Sequence, residues 1–217
     1  MPKNKVLILF GPTASGKSRI ALKISSNIDS IIINADSLQV YKDLKILTSR
    51  PTKEDEEKYV HKLYGVMDGS DNCSVAHWLD LAREEIQLCW NNNKLPIVVG
   101  GTGLYLKALM EGISEIPSIP DSIKIKTDEI LKQKGLNYLF SEIQEVNKKT
   151  IIHKQDTQRI VRAFNVLEAT GKSIEQWQKE NRKVFEEINF ETYLIQKDRK
   201  ELYKFSEDRF DEMLNKG

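Results

Sequence analysis

"KVLILFGPTASGKS", Lys5 to Ser18, joins a short apolar run to a glycine-punctuated turn. Val6 to Phe10 is continuously apolar, the pattern of a parallel strand buried on both faces. The next residues match Gly-x-x-x-x-Gly-Lys-Ser from Gly11 to Ser18. "SRIALKISS" follows with apolar residues at helical spacing. A turn of this kind between a strand and a helix gathers backbone N–H groups around an anion at a helix N-terminus. Gly11, Pro12, Thr13, Ala14, Ser15, Gly16, Lys17 and Ser18 are therefore candidate phosphate binders, Lys17 as a point charge and Ser18 as a candidate ligand of Mg²⁺.

Outward from the loop, "SIIINADS" (30–37) and "PIVVGG" (96–101) repeat the buried-strand pattern. "VAHWLDLAREEIQLCW" (75–90) and "TGLYLKALMEG" (102–112) read as helices. Strand, helix, strand, helix in this order predicts an α/β fold with a parallel sheet. After Gly112 the texture changes. "ISEIPSIPDS" (113–122) reads as a linker, and from Lys124 to about Glu187 the pattern is helical, polar and strand-free. "FETYLIQ" (190–196) resembles a strand returning to the sheet, and "DRKELYKFSEDRFDEML" (198–214) a last helix. The expected division is a core of 1–118 with 190–217, interrupted by an all-helical insertion over 119–189.

Composition excludes several classes. With 40% hydrophobic and 30% charged residues, the 217-residue chain reads as globular. Val6 to Phe10 is too short for a membrane span or the body of a signal peptide. Cys73 and Cys89 make no disulfide framework, which fits a reducing cytoplasm, and the three histidines show no metal-ligand spacing. Net charge is +1, so any nucleic-acid contact needs a local basic face. Asn147 to Lys172 offers one, with six Lys/Arg against two acids.

The loop alone does not specify its phosphate. Nucleotide hydrolysis of the usual kind calls for an acid at the end of a neighbouring buried strand. Here "LPIVVGG" ends in Gly100-Gly101-Thr102, and the strand that ends in an acid carries Asp36. By residue type Asp36 can cap the next turn, hold a metal or act as a base, with the cap the commonest role.

"GPTASGKS", "NADSLQVYKDLKILTSRP", "GGTGLYLKALMEG", "DTQRIVRAFNVLEATGKS" and "DRKELYKFSEDRFDEML" occur here in one order. Through them the chain, from residue 7 to 217, resembles the tRNA dimethylallyltransferases (tRNA isopentenyltransferases). The resemblance implies a P-loop NTPase-like core and transfer of a dimethylallyl group from dimethylallyl diphosphate to an adenine beside the tRNA anticodon. It implies Mg²⁺ as cofactor, dimethylallyl diphosphate and the anticodon stem-loop as partners, and a cytoplasmic monomer. By resemblance, Thr13, Lys17 and Arg209 serve the diphosphate, and Asp36 is the base. Asp36, Ser37, Leu38, Gln39, Thr102, Lys124, Gln158, Arg159, Ile160, Val161 and Arg162 meet the RNA.

Leu47 and Arg50 stand where such enzymes tend to carry Gly and Lys, and the proline before His61 is missing. Relatives also continue past the last helix, which implies weaker tRNA binding by this chain. Two other readings of the residues stand beside this one. A small-molecule P-loop kinase, binding a nucleotide such as ATP, would explain the loop. A non-catalytic RNA-binding remnant would explain the basic segment.

Overall fold

The computed structural model describes residues 4–114, 116–180, 185 and 187–216. It divides into two compact units, Met1–Met110 with Lys183–Gly217, and Glu111–Arg182.

The first unit carries five parallel strands: β1 (Lys5–Phe10), β2 (Ser30–Asn34), β3 (His61–Lys62), β4 (Leu95–Gly100) and β5 (Asn189–Leu194). They lie side by side in the order β3-β2-β4-β1-β5. β2 and β4 are buried along their whole length, which explains why their sequences are unbroken apolar runs. β5 is the edge strand beside β1, with Ile8 opposite Thr192, and its more polar sequence follows from that place. Lys5 and Glu191 pair across this edge at 2.7 Å. The two-residue β3 at the other edge, beside Ile32 and Ile33, has no counterpart in the hydrophobic pattern.

Helices α1 (Lys17–Ser25), α2 (Lys53–Lys58), α3 (Val75–Asn91), α4 (Gly103–Glu111) and α9 (Arg199–Lys216) accompany the strands. Ala21 of α1 packs with Leu7, Leu9, Ile32, Ile97 and Val99 in one core cluster. Trp78 of α3 is fully buried and stacks on Tyr105 of α4, centroids 4.4 Å apart. Its indole Nε1–H donates to the Asn34 carbonyl at 2.9 Å, at the carboxyl end of β2.

The second unit contains α5 (Asp121–Lys134), α6 (Leu136–Val146), α7 (Thr157–Thr170) and α8 (Ile174–Lys179), and no strand among its described residues. Leu139, Ile143, Ile160, Ala163 and Phe164 form its core. Asp156 caps α7 by accepting the Arg159 N–H at 3.1 Å. Ser173 and Gln176 form a reciprocal capping box on α8. The helical pattern read up to Glu187 runs partly over 181–184 and 186, outside the described residues. No helix among the described residues is long and apolar enough to cross a membrane.

Trp78→Phe keeps most of the buried ring but leaves the Asn34 carbonyl without its donor. A loss of about 1–3 kcal/mol is expected, read as a lower urea midpoint for the first unit.

Candidate functional site

The glycine-rich loop begins where β1 stops. Gly11 has φ 155°, and a Cβ there would run into the Ile195 carbonyl oxygen just beyond β5. Ile195 in turn donates its N–H to Phe10 O at 2.7 Å, so the loop is seated against the end of the edge strand. Ala14 (φ 62°) and Gly16 (φ 92°) are left-handed, and Gly16 is the N-cap of α1 with no side-chain cap bond. Such alternation turns successive N–H groups toward a common anion. Ser15 is 2% exposed and its hydroxyl has no hydrogen-bond partner. An orphaned buried donor inside an anion-binding turn is chemically suited to a phosphate oxygen.

Lys17 folds back over the loop. Its ammonium donates to Gly11 O at 2.8 Å and to Pro12 O at 2.7 Å. Burial pushes its pKa below the ordinary lysine value; Asp36 opposes that shift and Arg209 adds to it. Lys17, Asp36 and Arg209 are thus close enough to feel one another.

Asp36 follows β2 on a tightly held turn. The Asn34 side chain, fully buried, donates to the carbonyls of Asp36 and Leu63, each at 3.0 Å. Its own carbonyl accepts the Asp36 N–H at 2.9 Å. Asp36 Oδ1 accepts the Leu38 N–H at 3.0 Å, so the carboxylate does cap its turn, but with one oxygen. Thr102, after β4, accepts the Ser37 N–H at 3.0 Å through Oγ1 and lies 3.3 Å from the Ser37 hydroxyl. Its hydroxyl therefore braces the Asp36 turn. Gln39 donates to Thr48 O at 2.7 Å and ties that turn to the 44–49 segment.

These pieces surround one cavity of about 450 Å³. Thr13, Lys17, Ser18, Asp36 and Arg209 supply its polar wall; Leu38, Leu44, Leu47 and Phe205 supply an apolar one. A neighbouring cavity of about 480 Å³ shares Ser18, Ser49 and Arg209 and extends to Arg50, His61 and Tyr64. Burial pushes the Tyr64 hydroxyl well above the usual tyrosine value, which keeps it a neutral hydrogen-bonding group. Among the described residues no three His, Cys, Asp or Glu side chains cluster as a metal site. The Ser18 hydroxyl facing the cavity is a hard oxygen donor that fits Mg²⁺ shared with phosphate oxygens and water.

The second unit holds the other residues named from the sequence. Gln158, Arg159 and Arg162 line a groove of about 560 Å³ at α7. Ile160, between them, is fully buried in the helical core and Val161 packs against the same cluster, so neither presents the groove a side chain. Lys124, on α5, pairs with Asp121 at 2.8 Å. Phe164 is core, while Trp177 lies under the Lys172 ammonium, 5.0 Å from it, and bonds Thr170.

Sequence reasoning did not name Asn34, Phe205 or Leu44 as site residues, although all three lie in the stretches quoted for the resemblance. Asn34 was signalled by a lone amide ending an apolar run, and Phe205 by its i,i+4 spacing from Arg209.

Comparison with known proteins places this geometry. The IPP transferase family profile matches residues 39–217, and that of isopentenyl transferase residues 4–68. The tRNA dimethylallyltransferase of Azorhizobium caulinodans is 38% identical over 99% of this chain and 70% of its own length. That of Paramagnetospirillum magneticum is 39% identical, over 97% and 68%. A solved eukaryotic dimethylallyltransferase acting on tRNA superposes with TM-score 0.85 at 25% identity, over 99% of this chain. The chain spans only 54% of that enzyme. The tRNA isopentenylpyrophosphate transferase of Bacillus halodurans gives TM-score 0.63 at 27% identity, over 99% and 67%. The P-loop NTPase-like sheet, the loop after its first strand and these matches agree: the chain belongs to the tRNA dimethylallyltransferase (IPP transferase) family.

Proposed function

We propose that this chain transfers a dimethylallyl group from dimethylallyl diphosphate to the exocyclic amine of the adenosine on the 3′ side of the tRNA anticodon, releasing diphosphate. The observation that carries this reading is the common cavity of Lys17, Asp36 and Arg209. A carboxylate stands there beside an anion-binding loop that has no strand-end acid on β4 to support nucleotide hydrolysis. That absence weighs against a kinase, and an intact loop, Lys17 and Asp36 weigh against a non-catalytic remnant.

The donor's diphosphate fits the loop from Gly11 to Ser18, with the Ser15 hydroxyl, Lys17 and Arg209 as its polar partners. Lys17 reaches it by exchanging the Gly11 and Pro12 carbonyls for phosphate oxygens. The Ser18 hydroxyl would hold Mg²⁺, which would supply charge neutralisation for the diphosphate. The adenine amine is a poor nucleophile because its lone pair is delocalised into the ring. Asp36, oriented by the Leu38 N–H, has a second carboxylate oxygen available to accept the amine proton. The N–C bond forms as the C–O bond to diphosphate breaks, and the leaving group departs with the electron pair. Arg209 and Lys17 stabilise the charge that develops there. Leu38, Leu44, Leu47 and Phe205 keep water from the allylic carbon. Reaching this cavity requires the base to leave its stack. Gln158, Arg159, Arg162 and Lys124 supply RNA contacts from the helical unit, and the reading places the enzyme in the cytoplasm as a monomer.

Labelled dimethylallyl diphosphate and unmodified tRNA, incubated with the chain and digested, should give prenylated adenosine. ATP turnover without prenylation would favour the kinase, and neither activity the remnant. Asp36→Asn should lower kcat about 10²–10⁴-fold while diphosphate affinity stays nearly unchanged. An equal loss of donor affinity would make Asp36 a metal or diphosphate ligand instead. Lys17→Ala should weaken inorganic diphosphate as a competitive inhibitor; unchanged inhibition would remove the loop from the mechanism.

A further inference from the structure

Ile151 is 86% exposed, the highest value for a large apolar side chain among the described residues. Isolated exposed apolar residues are ordinary on protein surfaces. This one, however, is held out by both neighbours. The Thr150 hydroxyl is bound to the Glu175 carboxylate at 2.5 Å, and Ile152 packs against the helical core. Ile152 also donates its N–H toward Thr150 Oγ1 at 3.4 Å. The segment is therefore fixed on both sides of Ile151, and the side chain has no path into the core.

What Ile151 borders is a groove of about 560 Å³ whose other lining includes Gln158, Arg159, Arg162 and Gln178. Ile152, Ile174 and the Glu175 carboxylate complete the lining, so two guanidiniums, two amides and one carboxylate already engaged by Thr150 share the groove with the exposed Ile151. The surrounding segment is basic beyond its internal pairing. Arg159 is met by Asp156, and Lys172 by Glu180. Lys148, Lys149, Lys154 and Arg162 form no ion pair among the described residues. An acidic or purely apolar partner would use only half of this surface. A nucleic-acid loop uses both halves: phosphates for the cations, and the face of an unstacked base for the aliphatic group.

We propose that this groove is a slot for an unpaired nucleobase of the RNA, with Ile151 as the apolar contact at its rim. Arg162 takes the adjoining phosphate, and the amides of Gln158 and Gln178 meet the base edge. The proposal rests on the reading of tRNA as substrate, but it assigns a non-electrostatic contact to a residue outside the motifs from which that reading was made.

The two kinds of contact respond differently to salt. A phosphate contact contributes to the slope of log affinity against log salt concentration, and an apolar base contact does not. Binding of an anticodon stem-loop RNA, and of a blunt duplex with the same stem, would be measured between about 50 and 200 mM KCl. Ile151→Ser should weaken stem-loop binding about three- to tenfold with an unchanged slope, and leave duplex binding alone. Arg162→Ala should weaken both RNAs and flatten the slope by about one. Unchanged stem-loop affinity in Ile151→Ser, or an equal loss on the duplex, overturns the slot while leaving the tRNA reading in place. Wild-type chain that binds the stem-loop no better than the duplex overturns both. Because Ile151 makes little packing contact, the variant should melt with the wild type.

Discussion

Three parallel strands end at one edge of the sheet, and the loop, Asp36 and Thr102 hang from that edge, while α9 brings Phe205 and Arg209 to the same cavity. β1 delivers the loop, β2 delivers Asp36 and β4 delivers Thr102, with β2 and β4 adjacent and β4 beside β1. Ligands of open parallel sheets gather outside the carboxyl ends of the strands for this reason. Here the edges meet closely. A Cβ on Gly100 would overlap the Ala35 backbone, so only glycine lets the end of β4 lie against the chain that leads to Asp36. The hydrogen bonds of Asn34, Trp78 and Thr102 then hold the backbone turn that carries Asp36, and the Leu38 N–H holds one oxygen of its carboxylate.

The electrostatics follow from the same crowding. Two cations and one carboxylate share a partly buried cavity, and burial lowers the Lys17 pKa while Asp36 restrains the shift. The Lys17 ammonium is met by two loop carbonyls, and the Ser15 hydroxyl of the same loop has no hydrogen-bond partner. On the proposed reading, a diphosphate would exchange those dipoles for full charges and engage the Ser15 hydroxyl as well.

How much of this could be read beforehand depended on whether the signal was local. β1, β2 and β4 were legible because strands buried on both faces are unbroken apolar runs, and the loop was legible because its glycines have fixed spacing. β3 was not, since two residues beside β2 leave no periodic trace. Asp36 was visible as a residue, but its geometry was not. The cap and the open oxygen coexist, a result that residue type could pose only as alternatives. Ile160 shows the opposite failure. A five-residue motif was carried over whole, while helical periodicity puts the middle of it in the core and only Gln158, Arg159 and Arg162 at the groove. Arg209 was named through the resemblance alone, because nothing in "EDRFDEML" distinguishes it from a helix-surface arginine; the fold puts it in the cavity with Lys17 and Asp36.

The two units also divide the physical work. In the first, a few convergent, partly buried groups line one cavity, and the Asn34 amide with the Trp78 indole holds the Asp36 turn among them. In the second, the cations of the 147–172 stretch are exposed on α7 and on the segments flanking it, and only Arg159 and Lys172 of that stretch meet a neighbouring acid among the described residues. Exposed charges act through numbers and screen with salt, which suits a long polyanion that need only be placed. On the proposed reading, selectivity among RNAs would not come from those charges, since every stem carries the same phosphates. It has to come from groups that distinguish an unstacked base from a stacked one, and apolar or amide side chains beside the cations are the kind that do so.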